Sequence, residues 1–175
     1  MKFKIVGLLT CLFIIFSIFP SSVYADYVLP YPSYMPGNKL YKPSRLLDAI
    51  QVFWYWGNIA SAKYHLRLAD KYLVEAKTLF EYRQYLLGVE ALRRSDKQIP
   101  YIKQYLGLAE KEGKDIDHLR TLMVSGMDAH IKTLERLLGE LPSDYQWVPE
   151  KQSPTSINFT QLLQEAIAAR RAAIE

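Results

Sequence analysis

The hydrophobic positions between residues 59 and 80 recur at alternating steps of three and four. Ile59, Ala62, Leu66, Ala69, Leu73, Ala76 and Phe80 form this seam, the mark of a helix that packs along one face. Large residues at 59, 66, 73 and 80 alternate with alanines at 62, 69 and 76. The alanines let a neighbouring backbone come close, and the large side chains fill the space beside it. A second seam follows at Tyr85, Gly88, Leu92, Ser95, Ile99, Ile102, Leu106 and Ala109. Folding the chain back near Tyr82 and Arg83 sets Ala76 against Gly88, Ala69 against Ser95 and Ala62 against Ile102. This predicts a close antiparallel helical hairpin. Pro100 lies inside the second of these helices and is expected to kink it rather than end it, because the seam continues in phase.

Helices flank the hairpin on both sides. Pro43 and Ser44 start the first, with Ser44 as N-cap, and it runs to about Trp56 and stops at Gly57. Asn58 is expected to cap the next. After Gly113, Asp115 caps a helix whose buried face is Leu119, Met123, Met127, Ile131, Leu134, Leu138 and Leu141. Pro142 stops it. Residues 143–156 hold two prolines and no helical pattern, and read as a surface loop without strands. Asn158 and Gln161 form a capping box for a last helix with Leu162, Ala166, Ala169 and Ala173 on its apolar face. Arg170 and Arg171 suit the negative end of that helix. The fold class is therefore an all-α antiparallel bundle of about five helices, with a strap over 26–43, a bundle over 44–141, a loop over 142–157 and a last helix over 158–175.

The strap contains Leu-Pro-Tyr-Pro-Ser-Tyr-Met-Pro at 29–36. Residues before proline favour extended backbone, and this stretch is too apolar and aromatic for a flexible linker. It reads as an ordered segment packed on the bundle and ending in a Pro36-Gly37-Asn38 turn. A groove-binding proline-rich ligand is the alternative. Phe53-Trp54-Tyr55-Trp56 poses a packing problem, since consecutive helix residues point about 100° apart and cannot all face one core. Either the strap lies over them, as a soluble monomer would favour, or they form a partner or membrane-interface patch.

The N-terminus changes the setting of this bundle. Lys2 and Lys4 precede an uncharged apolar run of 15 residues, Ile5 to Phe19, followed by Pro20 and by the small residues Val23 and Ala25. This is the pattern of a secretory signal cleaved after Ala25. The run is short of the about 20 residues that span a bilayer; an uncleaved anchor is the alternative. Both place the remaining chain outside the cytoplasm. Cys11, the only cysteine, lies within this segment. Leu8-Leu9-Thr10-Cys11 faintly resembles a lipoprotein box, but the apolar run continues past it, and lipidation is not expected. The remainder, 26–175, thus has no disulfide, thiol nucleophile or cysteine metal site. It is one domain's length, able to bury about 70% of its unfolded surface. Without Lys2 and Lys4 it carries 20 basic and 18 acidic residues, too balanced to imply a nucleic-acid partner. Membrane contact is expected only through the signal segment, if that is retained.

Motifs for chemistry are missing. His65, His118 and His130 form no HExxH, Glu-x-x-His or i, i+4 histidine pair, so no metal is expected. There is no Gly-x-Ser-x-Gly elbow and no glycine-rich phosphate loop, so neither an enzyme nor a cofactor is expected.

Two blocks do carry a likeness. Leu29-Pro30-Tyr31-Pro32, Met35-Pro36, Leu40-Tyr41 and Arg45-Leu46-Leu47-Asp48 form the first. Ala62-Lys63-Tyr64-His65-Leu66-Arg67-Leu68-Ala69-Asp70-Lys71 with Glu75-Ala76 forms the second. Together they resemble a family of exported bacterial proteins known only as a domain of unknown function, over residues 27 to 95. Ser33 and Lys39 stand where that family has glycine and proline. The resemblance implies an exported helical module, transfers no activity, and gives weight to His65, which matches a family position. The expected function is a non-enzymatic interaction or scaffold module, with a protein partner and with Tyr31, Tyr34, Trp54 and Trp56 as contact residues. The rivals are an envelope-stress sensor or chaperone-like binder, and a small-ligand or metal binder built around His65.

Overall fold

The computed structural model describes residues 27–150 and 153–175. The expected signal, its cleavage point and Cys11 lie outside them. The helices are α1 (Tyr41–Gln51), α2 (Asn58–Glu81), α3 (Tyr85–Asp96), α4 (Ile99–Lys111), α5 (Asp117–Glu140) and α6 (Phe159–Ile174). The all-α bundle expected from the seams is the observed architecture. One small sheet accompanies it, an antiparallel pair of β1 (Asp144–Trp147) and β2 (Thr155–Asn158).

Helix α2 is the central element, and α3, α4 and α5 pack against it. Its seam residues are buried from Ala62 to Phe80, with Ile59 half-buried near the open end. The turn into α3 falls where the two seams meet. Arg83 adopts φ 58, its N–H donates to Phe80 O at 2.9 Å, and Gln84 N–H donates to Leu79 O at 2.8 Å. This is the paired-bond ending that closes a helix through one left-handed residue. Ser95 Oγ donates to Ala69 O at 2.8 Å across the hairpin, matching the expected pairing of those two positions. Gly88 leaves room for a side chain, not for a backbone: an added Cβ would lie 2.5 Å from the Phe80 ring.

The second seam is carried by two helices. Helix α3 ends at Asp96, and Pro100 stands in the first turn of α4. This corrects the expected kink. At the start of a helix the missing proline N–H costs nothing, so the chain breaks at Lys97 and Gln98 and restarts. Ile99, Ile102 and Ala109 stay buried, so the seam survives the break. Gly113 at φ 70 ends α4.

Three further boundaries differ from expectation. Helix α1 begins at Tyr41, with Asn38 Oδ1 accepting from Leu40 N–H at 2.9 Å just ahead of it. Ser44 lies inside the first turn, so it is not the N-cap. The helix ends at Gln51, and a 3-10 turn carries the chain through Trp54 to Gly57 at φ 87. Asn58 does not cap α2 with its side chain, which instead donates to Glu112 Oε1 at 2.6 Å. Asp115 Oδ1 accepts from Asp117 N–H at 3.1 Å in the turn before α5, not as the N-cap itself.

The expected loop over 143–156 contains the two strands. Tyr145 pairs with Ile157, and these are the half-buried positions of the two strands. The Tyr145 ring meets Tyr85 edge-on at 4.7 Å between centroids, so the sheet lids one end of the core. Asn158 Oδ1 then accepts from Gln161 N–H at 2.7 Å and caps α6. The box is half made, since Gln161 reaches forward to Glu165. On α6 the buried residues are Phe159, Leu163, Ala166, Ile167 and Arg170. Ala169 is exposed, so the buried face is rotated from the expected one.

Candidate interaction surface and buried polar network

Helix α1 has no buried residue, and its two sides are unlike. Tyr41, Ser44, Arg45, Asp48 and Gln51 follow the three-four spacing of one helix face. That face meets α2 through polar contacts. Tyr41 Oη donates to Glu75 Oε1 at 2.7 Å. Lys71 Nζ lies 2.5 Å from Asp48 Oδ2 and 3.3 Å from Ser44 Oγ. The Arg45 guanidinium sits 4.8 Å above the Tyr72 ring. Gln51 accepts from Arg67, and Tyr64 Oη donates to the Asp48 carbonyl. Burial, opposed by the nearby Arg45 cation, pushes the Tyr72 hydroxyl up to about 12, so it stays neutral.

The other side of α1 and the turn after it is apolar and faces solvent. Leu46, Leu47 and Ile50 are exposed along it. Phe53, Trp54 and Trp56 follow at 74%, 68% and 85% exposure. This corrects the expectation that the strap covers the aromatic run. The strap goes elsewhere: Leu29 and Met35 pack on the core formed around Leu73, Leu92 and Leu134. Tyr31, at 94% exposure, borders a groove with Lys77, Thr78 and Glu81 near the far end of α2. Tyr34 is also exposed. Trp56 lies beside the start of α2, so it and Tyr31 are separated by roughly 30 Å along that helix, given a rise of about 1.5 Å per residue. The four expected contact residues therefore do not make one surface. Trp54 and Trp56 belong together; Tyr31 stands apart.

His65 is buried. Its Nδ1 lies 2.9 Å from Gln98 Oε1, and Gln98 Nε2 donates to Arg94 O, so Nδ1–H is the donor. The ring stacks on Tyr101 at 4.9 Å and on Tyr105 at 5.4 Å between centroids. These contacts make it a packing residue. Among the described residues no three of His, Cys, Asp and Glu converge as metal ligands.

A polar chain that no sequence motif marks runs through the interior. Tyr27 Oη donates to Asp70 Oδ2 at 2.6 Å. His130 Nε2 lies 2.7 Å from Asp70 Oδ1. Arg170 Nε–H donates to His130 Nδ1 at 3.1 Å, and its two terminal nitrogens donate to Asp96 Oδ1 at 2.7 Å and Ser95 Oγ at 2.9 Å. Since Nδ1 accepts from Arg170, the His130 proton sits on Nε2 and points to Asp70. His130 and Arg170 are fully buried. Burial pulls the His130 imidazole below its ordinary value and holds it neutral, against the pull of Asp70. Burial also lowers the Arg170 guanidinium, with Asp96 opposing. The Tyr27 hydroxyl is raised by burial first and by Asp70 second. Arg170 thus pairs with the half-buried Asp96, and its Nη1 also donates to Ala166 O of its own helix at 2.8 Å.

The spacing held the signal for this chain. Asp70 is four residues after Leu66, His130 three after Met127, and Arg170 four after Ala166. Each is a polar residue on an apolar face, where a partner is obligatory. Such a chain, with its members bonded to one another and its middle buried, rigidifies the fold. A smaller knot joins Glu75, Tyr41 and Arg94, where Arg94 Nη1 donates to Tyr41 Oη at 2.8 Å.

Compared as a whole, the chain matches no protein family, no curated protein and no solved structure. Among the described residues, no helix is long and apolar enough to cross a membrane.

Proposed function

We propose that this chain is an exported, non-enzymatic interaction module whose working surface is the outward side of α1 with Phe53, Trp54 and Trp56. The observation that carries this reading is the exposure of those three aromatics, at 74%, 68% and 85%, on a segment that turns its polar side inward. Aromatic side chains bring large contact area with little conformational entropy to lose, and they dominate interface energetics. Chance exposure of single apolar residues is ordinary, whereas a contiguous apolar patch marks a contact site. The signal pattern of the first 25 residues and the likeness of the strap and second helix to exported proteins support the extracytoplasmic setting.

The test is a comparison of the exported protein with a Phe53→Ala/Trp54→Ala/Trp56→Ala variant in affinity capture from the host envelope fraction. The partner is expected to be retained by the first and lost from the second, while Tyr31→Ala retains it. Equal retention by wild type and triple variant would sink the reading.

A further inference from the structure

The inverted helix α1 says something about what covers it. An ordinary surface helix shows water its polar side. Here Tyr41, Ser44, Arg45, Asp48 and Gln51 are turned toward the protein, and the side holding Leu46, Leu47, Ile50, Phe53 and Trp54 is turned out. A helix of this kind, ending in exposed tryptophans, has the layout of a segment that lies flat in a membrane interface. Tryptophan is favoured there because its ring is apolar and its indole N–H remains near water.

Charge supplies the second observation. Residues 39–71 contain Lys39, Lys42, Arg45, Lys63, Arg67 and Lys71 against Asp48 and Asp70 alone. Both carboxylates are already engaged: Asp48 by Lys71, and the buried Asp70 by Tyr27 and His130. Lys39 and Lys42 at the start of α1, with Lys63 on α2, are exposed and in no ion pair among the described residues, while Arg67 is held by Gln51 and lies over the Tyr55 and Tyr64 rings. The rest of the chain from residue 26 is slightly acidic by comparison, since the whole of 26–175 has a net charge of only +2. The base excess is therefore gathered in the stretch of sequence that carries the apolar helix. A protein groove would not need that gathering, whereas an anionic lipid surface draws on it, and long lysine side chains reach the headgroups while their stems lie on apolar surface.

We propose that α1 and residues 53–56 dock on the surface of an anionic phospholipid bilayer. The helix lies in the interface plane, the aromatics enter the boundary between headgroups and acyl chains, and Lys39, Lys42 and Lys63 meet lipid phosphates. The inference rests on the interaction surface proposed above and names its partner.

The chain has three tryptophans, so a Trp147→Phe background leaves only Trp54 and Trp56 to report. The exported protein in that background is mixed with vesicles of phosphatidylcholine alone, or with added phosphatidylglycerol, each carrying brominated acyl chains that quench a tryptophan in contact. Quenching is expected with the anionic vesicles and little with the neutral ones, and 0.5 M salt should reverse it. Lys39→Gln/Lys42→Gln should weaken apparent affinity about tenfold or more, at the strength usual for basic residues near a charged bilayer. Both positions are exposed, so loss of folding does not confuse the result.

Equal quenching by both vesicle types overturns the anionic-lipid assignment. No quenching overturns the bilayer docking altogether, and iodide accessibility then separates two cases. Tryptophans shielded by an envelope protein or by a second copy of the chain leave the interaction surface standing with a different occupant. Tryptophans open to iodide under every condition remove the interaction surface as well.

Discussion

Two regions of this molecule reverse the usual placement of polar and apolar groups, and they do so in opposite ways. The interior buries Asp70, His130 and Arg170. The edge formed by α1 exposes Leu46, Ile50, Phe53, Trp54 and Trp56. Inside, the unusual residues answer one another: tyrosine to carboxylate, imidazole to the same carboxylate, guanidinium to imidazole and to a second carboxylate. Outside, among the described residues, the apolar side chains stay exposed, and the Trp56 indole N–H bonds only the nearby Phe53 carbonyl. A buried polar group that is fully partnered explains itself through the fold. An apolar face without a cover does not, and it directs attention to something beyond the chain. The difference teaches where to look for function here, at the surface that folding leaves unfinished.

Substitutions at the two regions should therefore behave differently. The largest effect belongs to Arg170→Met. It removes the cation facing the half-buried Asp96 and leaves the buried Ser95 and His130 without a donor, and losing the buried partner of such a network costs about 3 kcal/mol. Urea unfolding should show a correspondingly lower midpoint at unchanged slope; a loss under 1 kcal/mol would mean that the chain adds little to the fold.

Next comes pH. His130 is neutral in the fold because burial lowers its affinity for a proton, while the unfolded chain has an ordinary histidine near pH 6.5. Below that pH the unfolded state binds a proton that the folded state refuses, so stability falls as pH falls. The slope from this residue reaches at most about 1.4 kcal/mol per pH unit. Between pH 7 and pH 5, His130→Asn should lose stability less steeply than wild type, measured by urea unfolding at each pH. Parallel slopes in the two proteins would contradict the assignment.

The smallest expected change is at the outer region. Trp54→Ala/Trp56→Ala should alter stability by only about 0.5 kcal/mol, as is usual for surface sites, the exposed bond from Trp56 Nε1–H to Phe53 O being the hydrogen bond lost. A loss of 2 kcal/mol or more would show that these rings support the fold, and would erase the contrast between the two regions.

Much of the bundle was legible in the sequence because alternation of large and small residues at three-four spacing has few physical readings. Ala69 with Ser95 came from that spacing alone and is realised as a hydrogen bond. Elsewhere the pattern was too weak or ambiguous to choose. Helix α6 carries alanine at 166, 168, 169, 172 and 173, so small residues occur all around it and do not select a face. Phe159, Leu163 and Ile167 select it. The strands are four residues each, with a single inward position apiece, which leaves no period to read. At Pro100 a proline fits either a kink or a first turn, and the seam was blind to the choice. The aromatic run cannot be buried whole, and three of its four rings are exposed. The path of the strap depended on Tyr27 finding Asp70 and on Leu29 and Met35 finding the core, which are contacts between distant segments. The interior chain was written in the heptad positions, but it is visible only when polar residues are tracked along apolar faces as closely as the hydrophobic ones.

Arg170 also sets a timetable. Its hydrogen bonds to Ser95 and Asp96 span 75 and 74 residues, and it arrives on the last helix of the chain. A polypeptide that emerges from its N-terminus onward holds α2 through α5 before it holds the cation their interior requires. Until α6 docks, Asp96 and His130 have water where the finished protein has a guanidinium. The closing of the core is thus a late, long-range event, and the hairpin of α2 and α3, assembled from neighbouring sequence, must wait for it in a wetter form.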